Sequence, residues 1–135
     1  MADLTEAAPP RARPLSPHLQ IYRPMLTMMM SITHRITGIA LYLGTLMLAW
    51  YLLAAAADAR AFATASGFVG SWFGQLILLG FTWALFHHTL GGVRHFLWDS
   101  GYGMDDPGRE TLAQATLAGG ILLTALVWAV AIAMR

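Results

Sequence analysis

Apolar residues gather into three long runs separated by short polar stretches. The first is unbroken from about Met25 to about Ala57. Its core, residues 36–56, matches the roughly 20 residues a bilayer requires. The second runs from about Trp72 past His88, in a helix continuing to about Asp99. The third runs from about Leu112 to Met134 and carries no charge and no histidine. The pattern predicts an all-α protein with membrane spans at about 31–57, 72–98 and 112–134, making residues 25–135 a three-span transmembrane domain. Asp58 and Arg60 close the first run, residues 61–71 read as a small-residue connection, and 100–103 and 105–108 read as turns. Gly119 and Gly120 would let the third helix approach a neighbour closely. Residues 1–24 hold five prolines and cannot form one continuous helix. Residues 1–10 read as disordered, and 13–24 as an extended segment on the membrane surface or against a partner. No short apolar run with a small-residue cleavage site precedes the first span, so a secretory signal peptide is not expected.

The polar residues inside these runs are the informative ones. An ionisable group within the membrane is costly, and its presence points to function. His88 and His95 are seven residues apart and share one helix face. Gly80, Ala84, Gly91 and Gly92 lie on or beside that stripe, leaving a shallow groove next to the imidazoles. Such a groove suits a flat macrocycle whose central metal one imidazole must reach; it suits helix–helix packing equally well. His88 is the deeper ring, about 10 Å further in than His95, and is the better candidate for a metal ligand. His87 points about 100° away and is left unassigned; His18 reads as a surface contact. On the first helix Ser31, His34, Arg35 and Gly38 share one face at the membrane edge. Arg94, His95 and Asp99 end the second helix at the same edge. Arg35 and Arg94 there can pair with carboxylates such as propionates, or can simply anchor the helix ends.

Composition narrows the classes. The 135 residues are 57% hydrophobic and 11% charged, against about 25% charged in a typical soluble domain. The net charge of +1 gives no reason to expect nucleic acid as a partner. With no cysteine in the chain, disulfides, thiolate-ligated haem and iron–sulfur clusters on this chain are excluded. Arg11, Arg13, Arg23, Arg35, Arg94 and Arg109 fall on one side of the three crossings, and Arg60 and Arg135 on the other. The positive-inside rule therefore places the N-terminal segment, residues 1–24, in the cytoplasm and the C-terminus in the opposite compartment.

Three segments in order, RPLSPHLQIY at 13–22, SITHRITG at 31–38 and HTLGGVRHFLWD at 88–99, resemble the cytochrome b556 subunit of succinate dehydrogenase, the haem-binding anchor of respiratory complex II. The resemblance implies a multi-pass protein of a bacterial-type cytoplasmic membrane. It implies packing with a second three-helix anchor subunit, and docking of an iron–sulfur subunit and a flavoprotein that oxidises succinate. One haem b is shared between the two anchors, with ubiquinone as substrate. By the same resemblance His88 is the axial ligand on this chain. Ser31 and Arg35 bind quinone, His34, Arg35 and His95 meet the haem propionates, and Asp99 stands on a possible proton path. No residue here is implied to oxidise succinate. The alternatives are the anchor of a quinol:fumarate reductase, a structural anchor without redox role, and ligation of one iron by His34 and His88 together. The difference in depth between those two residues argues against the last.

Overall fold

The computed structural model describes residues 21–134. The readings of residues 1–20, including His18, Arg11 and Arg13, lie outside the described residues, as does Arg135. After an extended stretch at 21–25, four helices follow: α1 (Leu26–Ala57), α2 (Ala59–Gly70), α3 (Trp72–Asp99) and α4 (Asp106–Ala133). No strand occurs among the described residues. Three helices, α1, α3 and α4, are long and apolar enough to cross a membrane. At 32 residues, α1 is about 48 Å long, against roughly 30 Å of hydrocarbon.

The helices depart from the predicted spans in three places. First, α1 begins at Leu26, directly after Pro24 and an extended Met25. Polar residues such as Thr27 and Ser31 lower the hydropathy there but do not interrupt the helical backbone. Second, the connection at 61–71 is mostly helical. The Asp58 carboxylate accepts the amides of Arg60 and Ala61, both at 2.8 Å, which is an N-cap. Alanine-rich sequence then propagates the helix. Phe62 packs edge-on to Tyr51, and Phe68 to Trp50, so α2 folds back against the end of α1. Third, α4 starts at Asp106. Asp105 caps it by accepting the Gly108 amide, and Pro107 occupies its first turn, a position proline tolerates. The turn proper is 100–105, where Gly101 and Gly103 adopt φ of 80° and 70°.

At the centre of the bundle, α3 packs on α4 along one side and antiparallel to α1 along another. Gly120 of α4 lies over the backbone of His87, where an added Cβ would stand 3.3 Å from its Cα; one on Gly119 would meet the Leu90 side chain at 2.8 Å. The close approach expected of these two glycines is therefore made to α3. Large apolar side chains such as Ile36, Leu43, Leu53, Phe96 and Leu122 remain exposed on the bundle surface. In a membrane those faces meet lipid or other apolar helices. Trp50, Phe68, Trp72 and Phe73 cluster at one end of the bundle. Trp98 and Tyr102 mark the other end, the arrangement of aromatic belts at two membrane interfaces.

Candidate functional site: the paired imidazoles of α1 and α3

The antiparallel contact between α1 and α3 brings two histidines together. The rings of His34 and His88 stack with centroids 3.8 Å apart and planes 8° from parallel. Each ring rests on the other helix where side-chain bulk is missing. His88 lies over Gly38, whose added Cβ would come within 3.1 Å of its Cε1. His34 lies over Gly91, where an added Cβ would overlap the ring. The groove expected along Gly91 is thus occupied by an imidazole of the same chain, while Gly80 and Gly92 face open space.

His88 is held through one nitrogen. Its Nδ1 is 3.0 Å from the His34 carbonyl oxygen and 3.3 Å from Thr37 Oγ1. A carbonyl oxygen only accepts, so Nδ1 carries the proton and Nε2 keeps the lone pair. Nε2 makes no hydrogen bond among the described residues. The ring is half-buried and oriented by the backbone, which is the state of an imidazole prepared to ligate a metal. Among the described residues no three of His, Cys, Asp and Glu gather at one point. What this chain offers is one oriented imidazole, which fits axial ligation of a haem completed from elsewhere.

The depth difference expected between His34 and His88 is not present. Their rings are in contact, and His34 also lies 5.6 Å from the His95 ring, so it bridges the two α3 histidines. Parallel stacking nevertheless prevents His34 and His88 from ligating one iron together. Ring lone pairs lie in the ring plane, so stacked rings point them side by side and not toward a common centre. Ring geometry, not depth, therefore rules out shared ligation. The buried Nδ1 of His34 has no hydrogen-bond partner among the described residues.

His87, one residue earlier, belongs to a different surface. It is fully buried, stacked on Trp83 at 5.1 Å and covered by Gly120. Neither of its ring nitrogens has a partner among the described residues. Arg94 lies toward the Asp99 end of α3, beside His95, but it is turned into the bundle rather than outward. It is 2% exposed and lies in the α3–α4 seam against Leu112, Ala115 and Thr116. Its guanidinium stands 5.0 Å over the Trp98 ring, within reach of a cation–π attraction.

Ser31 and Arg35 are exposed on α1, with His34 between them, and His95 and Asp99 are exposed on the last turns of α3. Beside Ser31 runs an open groove of about 370 Å³ lined by Thr27, Met28, Trp98, Met104 and Arg109. Arg109 is paired with Asp106. The structure thus adds Trp98 and Arg109 to the neighbourhood of Ser31, and Thr37 to that of His88. Arg35 does not line this groove.

Three long apolar helices, two of them meeting at an oriented histidine, define an all-α, multi-pass membrane protein. Residues 9–127 match the family described as the succinate dehydrogenase/fumarate reductase transmembrane subunit, and the chain belongs to that family. The chain is 46% identical over 114 residues to the succinate dehydrogenase cytochrome b556 subunit of Paracoccus denitrificans, covering 84% of this chain and 88% of the relative. It is 34% identical over 116 residues to the protein of that name from Rickettsia conorii, covering 86% and 90%. It is 38% identical over 113 residues to the mitochondrial succinate dehydrogenase cytochrome b560 subunit of Sus scrofa, covering 82% of this chain and 63% of the relative.

Proposed function

We propose that this chain is the haem b-bearing membrane anchor of a succinate:quinone oxidoreductase. In this reading it carries electrons from an iron–sulfur subunit to a membrane quinone and forms part of the quinone site. The observation that carries it is the Nδ1 anchoring of His88, which leaves Nε2 free to ligate. A second anchor subunit would supply the other imidazole. Bis-imidazole haem, when bound, supplies one-electron transfer rather than oxygen binding. On this side His88 binds and orients, and Gly38 gives its ring room. His34, stacked on that ring, and His95, 5.6 Å beyond His34, would hydrogen-bond the propionates, and exposed Arg35 would pair with them.

Quinone reduction consumes two electrons and two protons. The exposed hydroxyl of Ser31 donates to one quinone carbonyl, and the Arg35 guanidinium polarises the oxygen as negative charge develops. The groove beside Ser31 offers the apolar wall that a quinone ring needs. Asp99, exposed at the end of α3, can hand protons inward from the aqueous side. Among the described residues Arg23, Arg35, Arg94 and Arg109 lie toward one end of the bundle and Arg60 toward the other. This supports a cytoplasmic position for the quinone end and the N-terminus in a bacterial-type inner membrane.

Purification of the complex from membranes through a tag on this chain tests the proposal. A flavoprotein, an iron–sulfur subunit and a second small anchor should accompany it, with a pyridine haemochrome spectrum of b-type haem. Co-purification without haem would leave a structural anchor.

A further inference from the structure

We propose that Thr37 is a positioning residue that tunes the axial imidazole through its side-chain hydroxyl. The inference rests on His88 being the haem ligand. Thr37 is 1% exposed, one helical turn from Thr33. Its hydroxyl lies 2.9 Å from both the Thr33 and the His34 carbonyl oxygens. Carbonyl oxygens only accept, so the hydroxyl hydrogen is committed to them. What Thr37 presents to His88 Nδ1, 3.3 Å away, is an oxygen lone pair. The Nδ1–H is therefore shared between two acceptors, the His34 carbonyl and the Thr37 hydroxyl. The carbonyl is backbone and is present whatever residue stands at 34. The hydroxyl is the one acceptor in this pair that sequence can change.

Two acceptors on Nδ1–H do two things. They fix the ring about its χ angles, with Gly38 leaving the space it needs. They also draw the proton away from the ring, raising the basicity of Nε2. A more basic axial nitrogen stabilises ferric over ferrous iron and lowers the midpoint potential. Thr37 thus holds the haem potential below the value the backbone carbonyl alone would set.

Two replacements separate the hydroxyl from the methyl of this side chain. Thr37→Val keeps the shape and removes the acceptor; Thr37→Ser keeps the acceptor and removes the methyl. Both are made in the intact membrane complex. The readouts are haem content by pyridine haemochrome, the midpoint potential by redox titration, and the g-values of the low-spin ferric signal. Thr37→Val should raise the potential and shift the g-values, and Thr37→Ser should stay at the wild-type position. Loss of haem from the valine variant, with haem and potential intact in the serine variant, would also support the hydroxyl. A valine variant indistinguishable from wild type would overturn the proposal, as would equal changes in both variants, which would mean packing. A wild-type complex without haem would instead remove the haem reading on which the proposal stands.

Discussion

His34 and His88 lie face to face at 3.8 Å, each ring seated on a glycine of the other's helix. Gly38, four residues after His34, receives His88. Gly91, three residues after His88, receives His34. The two helices therefore lock at one register, and the lock doubles as the support of the candidate ligand: the same contact places the His34 carbonyl against His88 Nδ1.

The glycines of this lock are unequal in a testable way. An added Cβ at Gly91 would overlap the His34 ring, whereas at Gly38 it would reach 3.1 Å from His88 Cε1, and at Gly92 it would meet nothing. Overpacking of this kind typically costs about 1–3 kcal/mol. Gly91→Ala should therefore lower the thermal stability and haem retention of the purified complex most, Gly38→Ala less, and Gly92→Ala hardly at all. Equal behaviour of the three variants would contradict the register.

His87 and His88 are adjacent, and their replacement should have opposite consequences. His87 is buried with both nitrogens unpartnered among the described residues. Leaving a buried polar group unsatisfied costs roughly 1–3 kcal/mol. His87→Leu removes that burden at similar volume, so the complex should keep its haem and match or exceed wild-type thermal stability. A His87→Leu complex without haem would place the ligand at position 87 and not at position 88.

Ser31 and Arg35 are exposed on one face of α1, and alanine at either should slow quinone reduction while sparing upstream steps. A hydrogen bond to a charged or developing charge is worth about 1.5–3 kcal/mol, or roughly 10–100-fold in kcat/KM for quinone. Succinate oxidation coupled to a soluble dye that takes electrons from the flavin should survive in the same membranes. A parallel fall of both activities would indicate failed assembly.

At the far end of the bundle Asp58 caps α2 through the amides of Arg60 and Ala61. Asp58→Ala should destabilise by about 1 kcal/mol, the usual value of an N-cap, seen as a lowered melting temperature. Haem potential and quinone kinetics should not change, because α2 lies at the opposite end from Ser31.

The three spans were legible because a bilayer demands about 20 apolar residues per crossing, and that demand overrides local detail. α2 was not legible: its alanine, glycine and threonine content falls below the hydropathy of a span, and the only signal was the capping Asp58. The imidazole face was half legible. The seven-residue spacing of His88 and His95, and the run Ser31, His34, Arg35, Gly38, each mark a face within one helix. That His34 meets His88 depends on the antiparallel register between two helices, and spacing within one helix does not contain it. Thr37 stands in the SITHRITG segment at 31–38, yet a threonine in an apolar helix normally bonds its own backbone. Its second role appears only with His88 opposite. Arg94 reads as an edge anchor from its neighbours in sequence, and only the α4 seam accounts for its burial.

The account depends most on His88, and the low-spin ferric resonance signal of the intact complex tests it directly. The wild type should show a bis-imidazole spectrum, and His88→Leu should lose it, either with the haem or by conversion to high spin. A bis-imidazole spectrum unchanged in the His88→Leu complex would contradict the account.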